Sequence, residues 1–373
     1  MKKIGITGSN GFVGQHLFNT LAQYRNIELV AFQRSFFEDV AKMDNFVKNC
    51  DVIVHLAGLN RSSLQEDLCK ININLTNILI SSLERTKSKP HVIFASSTQE
   101  YSNNLYGKSK KKSRLNLKDW AFLNKAIFTG LIIPNVFGPF GEPFYNSFIT
   151  TFSHQLVNNE IPRIINDADV NLIYIDELID EVRNIINYPI FDDFYKIGHT
   201  KSKRVSEVLD LLQLFKSEYL DNGQIPKVEL GSFELNLFNT FRSHIPTTFF
   251  PRNFKRQEDY RGSFVEIMRA GAAGQSSYST TVPGVTRGNH YHTRKVERFS
   301  VISGKASIKI RKIGSEEVIE YLLDGETPAY VDMPIWYVHN ITNISNVDLI
   351  TLFWINEPYN KDDSDTFPME VDV

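Results

Sequence analysis

From residue 1 to about residue 240, short apolar runs alternate with stretches of helical periodicity. KKIGITG, ELVAFQR, DVIVHLAG, HVIFASS and TGLIIPNVFG read as strands, and HLFNTLAQY and NILISSLERT carry apolar residues at helical spacing between them. This alternation predicts a parallel sheet with helices on both faces, a doubly wound α/β fold. After HIPTTFFPRNF (residues 244–254) the pattern changes to short β-rich segments, KASIKIRKI, AYVDMPIWY and LITLFWIN, punctuated by Gly, Asn, Asp and Pro. That spacing predicts an all-β sandwich or small barrel. The expected domains are residues 1–247 and 248–373, and the acidic end NKDDSDTFPMEVDV reads as only partly ordered.

A chain of 373 residues is too long for one compact core, which agrees with two domains. No apolar run is long enough to span a bilayer, and MKKIGITGSNGFVG passes straight into a strand-and-turn pattern without the features of a signal peptide. A cytoplasmic protein without membrane contact is expected. Cys50 and Cys69 are too few for a disulfide framework and read as ordinary reduced thiols. With a net charge of -2 there is no broad footprint for nucleic acid, and the basic run YGKSKKKSR is read as a solvated helix face.

Chemistry enters at TGSNGFVG. Gly8, Gly11 and Gly14 follow a strand and precede a helix, where glycine lets the backbone approach a pyrophosphate held at the helix N-terminus. Asn10, Phe12 and Val13 between them join the expected cofactor contacts. The second strand ends in AFQRSFFED, with Arg34 where an acidic ribose ligand would stand. An arginine there suits a 2'-phosphate, so NADPH is expected over NADH. Tyr106 and Lys110, four apart in NLYGKSK, share one helix face, and Ser97 and Thr98 end the preceding strand. A nearby ammonium should lower the phenol pKa from its usual value near 10, enabling Tyr106 to pass a proton to a carbonyl that Thr98 holds by hydrogen bonding.

The order glycine loop, HLAG, SST, YGKSK resembles the extended short-chain dehydrogenase/reductases, the Rossmann-like family of sugar-nucleotide epimerases, dehydratases and reductases. The likeness covers roughly residues 1–240. It implies catalytic roles for Thr98, Tyr106 and Lys110, and cofactor contacts from Leu56, Ala57 and Gly58 of HLAG. PNVFGP matches the family segment beside nicotinamide and sugar, implying Pro134 on the cofactor and Asn135 on the substrate. LIYIDEL (residues 172–178) matches the family's YVDDL region.

Near the other end, GVTRGNHYHTRKVERFSVISG spaces His290, His292, Glu297 and Gly304 as G-x5-H-x-H-x4-E-x6-G, and PIWYVHNITN adds His339 and Asn343. Alternate residues of a strand point to one side, so the two histidines with Glu297 and His339 can close a divalent metal site. Three imidazoles and a carboxylate suit zinc, iron, nickel or manganese, while a metal-free acid-base pocket uses the same histidines. The spacing resembles the first motif of the cupin barrels. The second motif departs from it, because the family's Pro-x-Gly reads Pro334, Ile335, Trp336. DYRGSFVEIMR resembles the signature of the sugar-nucleotide 3,5-epimerase cupins, implying nucleotide contacts from Arg261 and Glu266. Arg287 and Gly288 precede His290 as an Arg-Gly pair precedes the catalytic histidine of that group, which implies a substrate contact from Arg287 and gives His290 two candidate roles, base or metal ligand; the added His292 and Glu297 favour ligand.

The whole chain resembles the CapF-type bifunctional enzymes of capsular polysaccharide synthesis. That resemblance implies a UDP-2-acetamido-2,6-dideoxy-4-hexulose substrate, C3 epimerisation in the cupin, NADPH-dependent C4 reduction, and a product on the route to UDP-N-acetyl-L-fucosamine. It also implies zinc and a homodimer. Two other readings stay open: the cupin resembles sugar ketoisomerases through RGNHYH, or it serves only for binding or dimerisation.

Overall fold

A computed structural model describes the chain except residues 61–64, 146, 255, 260, 261, 266–273, 358, 359 and 373; for 65, 66, 256–259, 262–265 and 275 it describes the backbone alone. Two compact units form, Met1–Phe152 with Pro162–Leu209, and Ser153–Ile161 with Asp210–Val373. The unit that contains the β-rich segments therefore also takes in residues 210–247. Apolar spacing in a helix looks the same whether the helix packs on an α/β sheet or on a barrel wall, so periodicity alone does not assign those residues.

In chain order the first part comprises β1 (Lys2–Thr7), α1 (Phe12–Leu21), β2 (Ile27–Val30), α2 (Val40–Lys48), β3 (Val52–His55), α3 (Gln65–Thr86), β4 (His91–Ser97) and α4 (Leu105–Asn124). There follow β5 (Phe128–Ile133), β6 (Asn135–Phe137), α5 (Phe148–Val157), β7 (Asp169–Tyr174), α6 (Ile175–Asn187), β8 (Asp192–Lys196), β9 (Lys201–Arg204) and α7 (Val205–Phe215). Six strands form a parallel sheet in the order β2-β1-β3-β4-β5-β8, and β6, β7 and β9 form a short second sheet. Met43 and Phe46 of α2, Leu79 and Leu83 of α3, and Leu117 and Trp120 of α4 pack on Ile53, Val92, Phe94 and Phe128 of the sheet. On the other face α1 packs with α6. The strand order reverses at β1, so a crevice opens beyond the carboxyl ends of β1, β3, β4 and β5, where ligands bind in such sheets. Helix α4 starts where the Asn104 side chain accepts from the Gly107 amide at 2.7 Å, and it stops at Lys125, whose φ of 52° leaves the helical region.

The second part comprises α8 (Phe233–Arg242), β10 (Arg252–Asn253), β11 (Arg256–Asp259), β12 (Gly262–Val265), β13 (Gln275–Thr281), β14 (Thr286–Tyr291) and β15 (Glu297–Ser303). It ends with β16 (Lys305–Lys312), β17 (Val318–Asp324), β18 (Ala329–Met333), β19 (Tyr337–Asn343), β20 (Leu349–Ile355) and β21 (Phe367–Pro368). Two five-stranded sheets, β10-β18-β15-β20-β13 and β17-β16-β19-β14-β21, make the expected cupin-like β domain. Val301, Ile308, Ile310, Val331, Met333 and Ile341 fill its interior. The acidic end is more ordered than expected: Phe367 and Pro368 pair with Tyr291 and His290 of β14. Arg311 also donates to the Val371 and Glu370 carbonyls at 2.7 and 2.8 Å. Composition marks such a segment as solvated, whereas its main chain supplies what β14 and Arg311 need. Among the described residues no helix is long and apolar enough to cross a membrane.

Strand β15 alternates, placing Arg298 on the face opposite Glu297. The Arg298 guanidinium meets both oxygens of Asp332 at 2.8 and 3.1 Å, and the Tyr219 hydroxyl donates to the same carboxylate. The guanidinium also lies 3.9 Å from the Tyr330 ring centroid and donates to the Gly223 carbonyl at 3.1 Å. With the side chains 2% and 0% exposed, this pair has no solvent to fall back on. Removing one partner leaves an unpaired buried charge, so Asp332→Asn should lower the unfolding free energy by about 3–5 kcal/mol. Urea denaturation followed by tryptophan fluorescence measures it, and a loss of less than about 1 kcal/mol would contradict the assignment.

Candidate functional site: a nucleotide cleft and a histidine cage

The first site lies in the crevice of the parallel sheet. A cleft of about 380 Å³ is lined by Phe12 and Val13 of α1, Leu56 after β3, Ser96 and Ser97 at the end of β4, Tyr106 and Lys110 of α4, and Pro134 and Asn135 between β5 and β6. Seven of the expected contacts, Phe12, Val13, Leu56, Tyr106, Lys110, Pro134 and Asn135, thus come together. The glycine loop sits beside them. Gly8 has φ +77°, and a Cβ there would lie 2.8 Å from the Ala57 amide; a Cβ on Gly14 would lie 2.1 Å from the Gly8 carbonyl oxygen. Gly11 caps α1 without a side-chain bond, which leaves the first amides of the helix for an anion. Asn10 is exposed in that turn, and Gly58 lies where a Cβ would be 3.5 Å from the Lys110 ammonium. Arg34 is exposed at the start of a short helical turn after β2, away from the lining of the cleft.

His55 of HLAG is a supporting residue. Its ring nitrogens meet the hydroxyls of Thr7 at 2.6 Å and Thr76 at 3.3 Å, and burial, then Lys110, lowers its pKa to about 3, which keeps it neutral. Lys110 donates to the Ala95 carbonyl at 2.8 Å and stands 5.9 Å from the Tyr106 ring centroid. Burial lowers its pKa to about 8. Tyr106 runs opposite to expectation: burial, with Tyr145 beside it, raises the phenol above its ordinary value. The ammonium is committed to a main-chain carbonyl, so its field does not offset the loss of water around a phenolate. A protonated phenol at neutral pH is the form that delivers a proton to a carbonyl oxygen.

Three features of this site lie outside the expected set. Ser97, rather than the expected Thr98, is among the lining residues, with Gln99. Tyr145 reaches the cleft from the loop after β6, and its hydroxyl accepts from the Asn60 amide at 3.3 Å. Below them Arg114 of α4 clasps Glu100 through two bonds of 2.8 Å and reaches the Asp193 carboxylate at 3.0 Å. Ser96 donates to the same Glu100. This buried pair ties the helix bearing Tyr106 and Lys110 to the turn that follows Ser97.

The second site lies in the cupin-like domain. One ligand atom from each of His290, His292, Glu297 and His339 lies within 4.8 Å of the others. The Nε2 atoms of His292 and His339 stand 3.3 and 3.1 Å from Glu297 Oε2, yet all three atoms are buried without a hydrogen bond. A tetrahedral ion with ligands at ~2.0 Å separates them by ~3.3 Å, so the spacing fits a cation better than a direct bond. The second ring nitrogens agree: Nδ1 of His292 meets the Asp365 carbonyl at 2.5 Å, and Nδ1 of His339 meets the Tyr337 carbonyl at 3.1 Å. A carbonyl can only accept, so Nδ1 carries the proton and the Nε2 lone pair faces the cage. Burial, then His339 and His292, lowers His290 to about 4, leaving it neutral. Burial alone would raise Glu297; without a cation, protonation of the two imidazoles outweighs it and holds the carboxyl well below its usual range, a positive charge that a bound cation would supply instead. The residues therefore fit a divalent cation.

The departure from Pro-x-Gly is accommodated. Trp336 takes the φ of +61° that glycine would take, and its ring stacks on Tyr291 at 5.8 Å. Asn343 is structural, donating to the Thr281 and Val347 carbonyls. Arg287 is exposed on β14. Arg261 and Glu266 lie outside the described residues.

Residues 4–189 match the NAD dependent epimerase/dehydratase family, and residues 257–367 match the polysaccharide biosynthesis C-terminal domain. The UDP-2-acetamido-2,6-beta-L-arabino-hexul-4-ose reductase of Pseudomonas aeruginosa is 31% identical over 376 residues, 99% of each chain. The capsular polysaccharide assembling protein CapF of Staphylococcus aureus is 30% identical, with a TM-score of 0.63 and coverage of all of both chains. The RMD protein of Pseudomonas aeruginosa, solved with NADPH, matches 66% of this chain and 98% of its own at 16% identity and a TM-score of 0.55, a likeness of fold. A nucleotide cleft of the epimerase/dehydratase class and a polysaccharide-biosynthesis C-terminal domain are thus joined in one chain. The chain belongs to the CapF-type capsular polysaccharide enzymes.

The close approach at Gly14 yields a test. Gly14→Ala forces a methyl onto the Gly8 carbonyl and should cost about 1–3 kcal/mol. A lower urea midpoint together with lost NADPH fluorescence enhancement is expected; unchanged NADPH binding would contradict a pyrophosphate seat at this turn.

Proposed function

We propose that the chain is a bifunctional sugar-nucleotide enzyme. The cupin-like domain epimerises C3 of a UDP-2-acetamido-2,6-dideoxy-4-hexulose, and the parallel-sheet unit reduces the C4 ketone with NADPH, toward UDP-N-acetyl-L-fucosamine. The observation that carries this reading is the full-length likeness to a hexulose reductase, joined to a cleft that brings Tyr106 and Lys110 together with Phe12 and Val13 of the helix that follows the glycine loop. NADPH, when bound, supplies the hydride. Tyr106, kept protonated by its burial, gives its proton to the carbonyl oxygen, and Ser97 is better placed than Thr98 to hold that oxygen. Lys110 is aimed by Ala95, and Tyr145 with Asn60 lines the same cleft, where we place the sugar.

Protons beside a ketone are acidic enough for an enzyme base to remove, and inversion follows when the proton returns on the other face. A divalent cation, which we take to be zinc, supplies electrostatic stabilisation to a developing enolate oxygen when held by His290, His292, Glu297 and His339. Reduction then removes that acidity and locks the new configuration.

Tyr106→Phe separates the two steps. NADPH oxidation should fall by at least about 100-fold, the usual weight of a general acid. Deuterium uptake from D2O into the substrate should persist without NADPH. Loss of both would assign the exchange to the reductase cleft; NADPH oxidation without any exchange in the parent chain would leave a simple reductase with a binding or assembly domain.

Cofactor choice rests in this reading on Arg34, four residues beyond the end of β2 at the start of an exposed helical turn, in the part of the chain where an acidic residue would select NADH. Arg34→Ala should raise KM for NADPH about tenfold, worth ~1.4 kcal/mol, and leave KM for NADH unchanged. An equal rise for both cofactors would contradict a 2'-phosphate contact.

A further inference from the structure

We infer that Asp365, in the acidic C-terminal segment, is a positioning residue for the metal cage: it fixes the turn between His292 and Glu297 and the tautomer of His292. This rests on the metal reading of the cage. Asp365 is 5% exposed, and its carboxylate does four things at once. Oδ1 accepts from the amide and hydroxyl of Thr293 at 3.1 and 2.6 Å, and Oδ2 accepts from the amides of Arg294 and Lys295, both at 3.0 Å. Residues 293–295 are the link between two cage members, so one carboxylate sets where β14 stops and β15 begins. The same residue aims its carbonyl at Nδ1 of His292 from a backbone with φ of +43°. An L residue adopts that region rarely, and here the three amide bonds and the hydroxyl bond hold it there.

The rest of the segment grips the other end of the histidine pair. The Met369 amide donates to the Asn289 carbonyl at 2.9 Å, and the Asn289 side chain donates to Glu370. Asn289 has φ +56° beside the register shift that precedes His290. Lys295 also donates its ammonium to the Ser364 carbonyl at 2.7 Å. His290 and His292 are therefore clasped at both ends by residues 364–370. Without the Asp365 carboxylate the turn loses its anchor, the carbonyl loses its aim, and the cage closes on a cation with a misdirected imidazole.

Titration of the full-length, metal-stripped chain with Zn²⁺ against a chelator tests this. Asp365→Ala should weaken Zn²⁺ binding about 10–100-fold, the usual weight of a partner behind a ligating histidine. It should also shift the visible bands of the Co²⁺-loaded protein. Arg311→Met serves as the structural comparison, because Arg311 holds the same segment at Val371 and Glu370 without touching the ligand turn. It should lower the urea midpoint and leave Zn²⁺ affinity within about twofold. If Asp365→Ala does not fold, Thr293→Val, which removes one donor to the carboxylate, should weaken Zn²⁺ binding by a smaller factor. Unchanged affinity in every Asp365 and Thr293 variant, or an equal loss in Arg311→Met, overturns the inference alone. A parent chain that takes up neither Zn²⁺ nor Co²⁺ overturns it together with the metal reading.

Discussion

Three main-chain carbonyls aim the reactive side chains of this protein. The Ala95 carbonyl accepts a hydrogen bond from Lys110, that of Tyr337 from His339 and that of Asp365 from His292. Each side chain has given up most of its water, and a buried donor without a partner costs about 1–3 kcal/mol. A carbonyl held by strand or turn geometry removes that cost and removes freedom with it: the donor has one direction to point. In the cleft this holds the ammonium beside Gly58 and the Tyr106 ring, and in the cage it directs two imidazole lone pairs at one carboxylate oxygen. Secondary structure fixes the carbonyls, and the carbonyls fix the chemistry.

The same dependence explains what could be read from the sequence. DVIVHLAG and HVIFASS are legible because a buried parallel strand must be apolar nearly throughout, and TGSNGFVG is legible because no residue with a Cβ fits at Gly14. His290, His292, Glu297 and His339 are legible because strand alternation projects spacing directly into space. What escaped is what acts through main-chain atoms. An acidic tail looks solvated by composition, yet Asp365 matters through a carbonyl and through amides whose identity sequence does not encode. Ser97 and Thr98 differ by one position at a strand end, where the change from strand to helical turn decides which hydroxyl faces the cleft. The sign of the Tyr106 shift depends on burial and on where the Lys110 ammonium is anchored, and neither is visible in a four-residue spacing.

The buried pairs carry a related lesson about scaffolding. Arg114, one turn along α4 from Lys110, pairs with Glu100, and Arg298, next to Glu297 but on the opposite face of β15, pairs with Asp332. Apolar residues of similar volume could fill either place without the desolvation penalty of an ion pair. What a paired charge adds is direction: the fork of Arg114 fits only one placement of the turn after Ser97. The fork of Arg298 likewise fits one placement of β18 against β15. Both pairs therefore define geometry for the residue behind which they sit, at some expense of stability.

Under the proposed function, the two sites need the ketone for opposite reasons. The cage needs it intact, because only the carbonyl makes the neighbouring proton removable; the cleft needs it consumed, because hydride must land on that carbon. A ketone that met the cleft first would be reduced with its original configuration and could never be inverted. Order must therefore come from selectivity, not from chemistry. The reductase must reject the unepimerised sugar, and the hydrogen-bonded Tyr145 and Asn60 in the lining of the cleft are groups on which such discrimination can act. A cleft that leaves the hydroxyl of the unepimerised C3 without a partner would favour the inverted sugar, because a buried unpaired hydroxyl costs about 1–3 kcal/mol. On that argument the fidelity of the product is set in the cleft, although the inversion itself occurs in the cage.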